Sequence, residues 1–404
     1  MSDRSCITGR RNRLRLVRRS ALAAVVAGAV LAVTAAPASA AGDVPATAPL
    51  DLWGVDGTAN AVVVSGSTVY VGGSFTSARR YMQSAPRANV MALTLGTLKP
   101  VDSLSAFRDP NNGPAAINGA VRALAVDASW LYIGGDFTSV DNVMRSHVAR
   151  VNRTTGQLDA GWNVTADKTV RDMALVGNTL YLVGDFTKVN GVARKRAAAV
   201  STVDGNLDPN FHPSLTNKVY AVAADGGRIF LGGNFTTVNS TPRSFLAAVN
   251  ASDGQLTGMP YNGINGTVLD LSVTGSQLFA AADAGFNSAA AWPVDGGAMQ
   301  WRARANGDVQ SVVYARGNAY FGFHDGYDIN GTGTPDNTLR LLAADAGTGT
   351  VVTPFAPKSS GNVGVLALSA DGPYLAAVGK FPKMGGVAVK SVAVFACSPP
   401  SCTP

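Results

Sequence analysis

The residues with most chemistry to offer are carboxylates. The 404-residue chain has 26 acidic residues, and every one is Asp. Any paired-carboxylate hydrolysis would have to run on Asp alone. Asp172 and Asp270 stand out, because each takes the third position of an apolar string, VRDMALV and VLDLSV, where sister strings carry Ala123 and Ala221. The plainer reading of both is a hydrogen-bonded or solvated Asp; the sharper one is catalysis. The three histidines, His147, His212 and His324, fall at unrelated places and form no metal-ligand spacing. No G-x-S-x-G elbow accompanies them, so a nucleophilic triad has no support.

Two further groups could bind. In the loop 328–336, Asp328, Asn330, Thr332 and Asp336 place oxygen side chains at alternate positions with a Gly at the sixth, as in a calcium loop. Leu339 stands where the bidentate Glu would be and no helices flank the loop, so a polar insertion is the competing reading and no other cofactor is indicated. A basic residue also recurs eight positions after a repeated Phe, at Arg145, Arg194 and Arg243, with Arg87, Arg340 and Lys390 at looser spacing. Facing Asp136, Asp185 and Asn234 across a hairpin, these would form cross-strand pairs. The alternative is a charged rim of Arg87, Arg145, Arg194 and Arg243 that meets a partner.

What must position these residues is a repeat. VYVGGSF, LYIGGDF, LYLVGDF and IFLGGNF begin at Val69, Leu131, Leu180 and Ile229, and weaker copies begin at Leu278, Ala319 and Leu375. Three successive steps, from Tyr132 to Phe279, are 49 residues each. Around each copy lie three more strand-like strings, for example VRALAVD, SHVARVN and LDAGWNV in the second unit. Units of 40–50 residues built of four short strands predict an all-β, seven-bladed β-propeller with four-stranded blades. Its innermost strands border a central channel, and both Asp172 and Asp270 fall on them.

The fourth string carries an aromatic at Phe107, Trp162, Phe211, Tyr261, Trp301 and Phe355, six in all. LDLWGVD at 50–56 would supply the seventh through Trp53. The N-terminal segment is therefore expected to be the outer strand of the last blade, closing the ring and removing its open edge. Gly72-Gly73, Gly134-Gly135 and Gly232-Gly233 are expected to let neighbouring sheets approach closely. Phe75, Phe137, Phe186, Phe235 and Phe381 are expected in the core.

Residues 1–20 hold seven Arg, residues 21–36 are apolar, and Ala38-Ser39-Ala40 is an A-x-A cleavage signal. This reads as a signal peptide, 1–40. Without its seven Arg and one Asp, the 33 basic and 26 acidic residues become 26 against 25, a net charge of about +1. The formal +7 therefore carries no nucleic-acid signal. The expected organisation is 41–57 as closing strand, 58–396 as propeller and 397–404 as a C-terminal tail. Cys397 and Cys402 are the two cysteines left in a chain bound for an oxidising compartment, where a disulfide is expected.

The string [LIV]-Y-[LIV]-G-G-[DSN]-F-T, followed by V-N-G, Arg, A-A-V-N and T-G-Q-L-D, resembles the delta-60 repeat β-propeller family of secreted bacterial proteins. The fungal cortical polarity markers carry similar G-G-N-F-T repeats. The match is close over residues 58–260 and 363–396 and loose over 264–350. The resemblance implies an extracellular propeller, often one module of a larger surface protein, and brings no catalytic residues with it. The expected function is a secreted or cell-surface binding or scaffold module, a monomer with a protein or glycan partner and no membrane span once the leader is removed. The alternative is an extracellular hydrolase or lyase acting at the channel.

Overall fold

A computed structural model describes residues 43–397, apart from 96–98, 101–116, 284, 329–333 and 362. The chain is all-β: no α-helix occurs among the described residues, and no helix there is long and apolar enough to cross a membrane. Seven antiparallel meander sheets follow one another along the chain, with first strands Thr58–Ser65, Val121–Val126, Val170–Val176, Val219–Asp225, Val268–Val273, Val309–Ala315 and Val365–Asp371. The repeated aromatic-glycine string is the second strand each time, for example Trp130–Gly135 and Thr179–Gly184. These second strands are buried on both faces, because each is sandwiched between neighbouring sheets.

Each first strand contacts the first strand of the next sheet, and that of the seventh sheet contacts that of the first. A β-bulge interrupts every first strand at the same place, between Val170 and Asp172 in the third sheet and between Val268 and Asp270 in the fifth. Bulges re-aim the residue that follows them, and here that residue is the Asp.

The glycine pairs divide their work. A Cβ on Gly134 would lie 2.8 Å from Cγ1 of Val170 in the adjoining sheet, so this glycine sets the inter-sheet distance. On Gly135 it would lie 2.1 Å from the carbonyl oxygen of Ala120 beside its own first strand. Only the first glycine of each pair therefore serves the expected sheet-to-sheet approach. The Phe that follows is buried in every copy where the sequence places it, from Phe75 to Phe381.

The fourth strings do not extend as strands in most units. Leu158, Leu207, Leu256 and Val351 each make one isolated bridge to the third strand. Full fourth strands occur at Lys99–Pro100 and Trp301–Arg304. The second sheet shows the cause: Asp159 Oδ1 accepts the N–H groups of Gly161 at 2.9 Å and Trp162 at 3.2 Å, folding the backbone into a turn after one bridge. The aromatics of these segments are buried all the same. Trp162 meets Tyr132 edge-on at 5.6 Å, Phe211 meets Tyr181 at 5.0 Å and Phe355 meets Tyr320 at 5.5 Å. The second-strand aromatic and the fourth-segment aromatic of a unit are thus one packing pair. Phe107 lies outside the described residues.

The N-terminal segment runs beside the last sheet but is not a regular strand of it. Ala46 and Leu50 donate to the carbonyls of Ala396 and Val394, at 3.4 and 2.7 Å. Gly54–Val55 then pairs with Ser77–Arg80 of the first unit instead. Trp53 is buried among residues of both the first and the last sheet, including Val62, Val378 and Val394.

Between second and third strands the chain makes hairpins. Four are two residues per strand, at Ser139–Met144, Lys188–Ala193, Thr237–Pro242 and Lys383–Ala388. Asn190 and Gly191 turn one of them with φ of 49° and 77°, the left-handed pair that a tight hairpin requires. In the first unit the hairpin is longer, Ser77–Arg80 against Gln83–Pro86.

Candidate functional site

Asp172 and Asp270 line one cavity of about 180 Å³. It is formed by residues of all seven first strands, among them Asn60, Arg122, Gln310 and Ala367. The two Asp flagged by position are therefore brought to a common space. Burial pushes the Asp172 carboxyl up to about 7, against backbone hydrogen bonds that pull it down. Burial and then the charge of Asp172 push Asp270 up to about 8.

Their oxygens are committed. Asp172 Oδ1 accepts the N–H of Met173 and Oδ2 the N–H of Val222 in the next sheet, both at 2.8 Å. Asp270 repeats the arrangement with Leu271 at 2.8 Å and Val312 at 2.9 Å. Ser369 Oγ accepts Val64 N–H at 3.0 Å, Asp371 Oδ2 accepts Gly66 N–H at 2.7 Å, and Ser272 Oγ accepts Tyr314 N–H at 3.0 Å. First-strand side chains thus act as pins that hold the neighbouring first strand. Asp172 and Asp270 are the two pins that also line the cavity, and each carboxylate oxygen spends one lone pair on an amide.

The recurring arginines take up carbonyls. Arg87, Arg145 and Arg194 are buried, not displayed on a rim. Arg145 Nη1 donates to Met144 O at 2.8 Å and Nη2 to Asp159 O at 3.1 Å; Arg194 does the same to Ala193 and Asp208, both at 2.9 Å. Each clamps its hairpin to its fourth segment. Arg243 is half-buried beside Pro260 and Tyr261. The acids expected opposite these arginines pair elsewhere. Asp136 takes Arg122 at 2.6 Å and Asp185 takes Arg171 at 2.7 Å, both from first strands. In each case burial raises the Asp, but the Arg contact outweighs it and holds the carboxyl below its ordinary range.

The other candidates stay apart. His147 Nδ1 lies 3.0 Å from Gly135 O, His324 Nδ1 lies 2.8 Å from Asp325, and His212 is exposed. Among the described residues no three His, Cys, Asp or Glu gather as metal ligands. Of the calcium-loop set, Asn330 and Thr332 lie outside the described residues. Asp336 accepts from Thr338 and pairs with Lys358 at 2.9 Å. Those bonds hold its carboxyl down to about 2. Cys397 is buried at the end of the last sheet, and Cys402 and the leader lie outside the described residues.

A larger cleft, about 630 Å³, opens where the first and last units meet. One wall is Asp56, Arg79 and Tyr81; the other is Lys380, Pro382 and Lys390. Asp56 accepts four hydrogen bonds, from the N–H and hydroxyl of both Thr76 and Ser77, at 2.6–3.0 Å. Burial raises its pKa, but those bonds outweigh it and hold the carboxyl down to about 2. Arg79 Nη2 stands 3.9 Å from Asp56, and Lys390 Nζ donates to Tyr81 O at 3.0 Å. The lengthened hairpin beside the cleft leaves Tyr81 66% and Met82 98% exposed. Sequence reasoning on the repeat passed over this place; the signal available was that ARRYM at 78–82 is where the hairpin pattern breaks.

Residues 130–161 match a family model described as a beta-propeller domain of unknown function (DUF5122). That span runs from the second strand of the second sheet to the turn before Trp162. No curated protein matches the chain. Among solved structures, the chain is similar to the WD40 beta propeller domain of Doa1, with 10% identity and a TM-score of 0.59 over 90% of this chain and all of that one. It is also similar to U3-55K, with 12% identity and a TM-score of 0.61 over 87% of this chain and all of that one. The RRP9 WD40 repeats are similar too, with 12% identity and a TM-score of 0.61 over 88% and 99%. These likenesses establish a β-propeller type of fold and nothing about ligands.

Proposed function

We propose that this chain is an exported, seven-bladed β-propeller that works as a binding module for a protein partner. The observation that carries the reading is the row of hairpin tips. All the hairpins leave the same end of their sheets, after the second strand. Three of the five hairpins expose apolar side chains at their tips: Tyr81 and Met82, Val143 and Met144 (77% exposed), and Val192. Exposed apolar side chains repeated along one face mark an interaction surface. Seven recurrent sheets, contacts in cyclic order between first strands, and the N-terminal segment along the last sheet support the blade count and the closure. The repeat strings and the match at 130–161 support kinship with the delta-60 repeat propellers, and the leader at 1–40 supports export.

The test is a binding screen of the chain lacking residues 1–40 on arrays of extracellular proteins and of glycans. A protein partner is expected, retained by the wild type and lost by Met82→Asp and Met144→Asp variants of unchanged melting temperature. Retention of glycans alone would overturn the choice of partner.

The raised pKa values of Asp172 and Asp270 favour a second reading, a hydrolase or lyase at the central cavity. Turnover on a glycan panel that vanishes in Asp172→Asn would establish it. The amides held by both carboxylates favour the binding module.

A further inference from the structure

We propose that the cleft between the first and last units binds an acidic peptide segment, with Lys380 as its central charge. The inference rests on the binding-module reading and names the chemistry of one contact.

The argument begins with register. Asp136, Asp185 and Asp283 each donate their N–H to the carbonyl just before the first strand of their own sheet, at Ala120, Thr169 and Thr267. Lys380 N–H makes the same bond to Gly364 O at 3.3 Å. Lys380 therefore occupies the position at which three other sheets carry an acid, with Ser74, Asn234 and His324 at the remaining equivalents. In the second and third sheets that acid is neutralised by the Arg at the second position of the first strand, Arg122 or Arg171. In the last sheet the corresponding residue is Leu366. Both members of the pair have changed, and the position has reversed its charge. Among the described residues no acid forms an ion pair with Lys380. The fold does not need a cation at this position, since the other units carry Ser, Asp, Asn or His there.

The neighbours add to the same sign. Arg79 and Lys390 line the same cleft, which gives three cations against the single acid, Asp56. Asp56 is saturated by Thr76 and Ser77, so it neither turns towards Lys380 nor competes well for it. Lys390 Nζ donates to the carbonyl of Tyr81 within the cleft. A cleft of about 630 Å³ takes a few residues of extended chain rather than a single ion. Its apolar parts, Tyr81 and Pro382, suit the backbone and methylene groups between carboxylates. Met82, next in sequence to the cleft residue Tyr81, belongs to the exposed hairpin tips.

The experiment is fluorescence anisotropy with fluorescein-labelled hexa-aspartate, on the chain lacking residues 1–40, with labelled hexa-lysine and hexagalacturonate alongside. Saturable binding of hexa-aspartate is expected. It should weaken by about ten-fold or more in Lys380→Asp, and fall when salt is raised from about 50 to 500 mM. Lys168→Asp, an exposed charge remote from the cleft in the repeat, should leave it unchanged. Lys380→Ala, with a smaller loss, guards against a folding defect in the reversal, and the melting temperature of both is measured. No binding of hexa-aspartate, or binding indifferent to Lys380, overturns the proposal. Binding of hexagalacturonate alone, lost with Lys380, overturns the choice of a peptide. None of these failures touches the hairpin-tip reading, which is decided by Met82 and Met144.

Discussion

Asp172 accepts the backbone N–H of Val222 at 2.8 Å, from a strand 50 residues further along the chain and in a different sheet. A side chain here does what a hydrogen-bond ladder does elsewhere: it satisfies a backbone donor that faces no strand partner. Truncating it leaves that donor buried and unpaired. Asp172→Ala should therefore cost about 1–3 kcal/mol, read as a lower urea midpoint with an unchanged slope. Asp172→Ser, which copies the Ser369 pin, should recover part of the loss. Equal stability of the Ala variant and wild type would refute the pin.

The same pair predicts how stability varies with pH. The folded-state pKa values, about 7 and about 8, lie above the ordinary Asp value of 3.8. Between roughly pH 4 and 8 the folded chain holds more protons than the unfolded one, so stability falls as pH rises through that window. Acids with lowered pKa, such as Asp56 and Asp336, lose their contribution only below about pH 4 and do not interfere. The urea midpoint should drop from pH 5 to pH 8, and Asp172→Asn with Asp270→Asn should flatten the profile. A wild-type profile already flat over that range would dispose of the idea.

Arg150 is buried between two tryptophans, its guanidinium 4.3 Å from the Trp130 ring and 5.2 Å from that of Trp162. It pairs with Asp159 at 2.6 Å. Removing one partner of such a pair strands the other charge. Arg150→Ala should lose about 3–5 kcal/mol, and Arg150→Lys should rescue little, since an ammonium cannot lie flat between the rings. Calorimetry on both variants checks this.

Trp53 is buried in one cluster with Val62 of the first sheet and Val394 of the last. Trp53→Ala should cost about 3–5 kcal/mol, and deletion of 45–57 should lower the melting temperature further. A deletion that leaves the melt unchanged would show that the segment does not hold the seam.

Tyr132 and Trp162 illustrate how far the sequence could be read. Each belongs to a separate periodic set, and the two sets turn out to be the two halves of one aromatic contact. The placement of Asp172 and Asp270 was also legible, because register along a strand decides which side a residue faces. Their role as pins was not. The groups they accept are backbone N–H donors of Val222 and Val312, and a backbone donor leaves no mark in residue type. Arg145 misled for a related reason. Asp136 is nearer in the hairpin pattern, but Arg122 reaches it from the neighbouring strand, and Arg145 turns to carbonyls instead. The cleft at Lys380 could not be read at all without bringing residue 79 beside residue 380. What could be seen was that ARRYM at 78–82 breaks the hairpin pattern.

The bonds at the seam also set an order of events. Val64 and Gly66 take their acceptors from Ser369 and Asp371, 305 residues later, and Leu50 takes its acceptor from Val394. A chain made from its N-terminus must finish its last sheet before its first can be completed. Loop closure over so long a span is entropically mild, since each doubling of length adds only about 0.6 kcal/mol. The search is slow rather than expensive, because non-local pairings dominate folding time. Without the final sheet, Val64, Gly66 and Leu50 lack the acceptors that Ser369, Asp371 and Val394 supply. The seam thus makes the first sheet's inner edge depend on residues from the last.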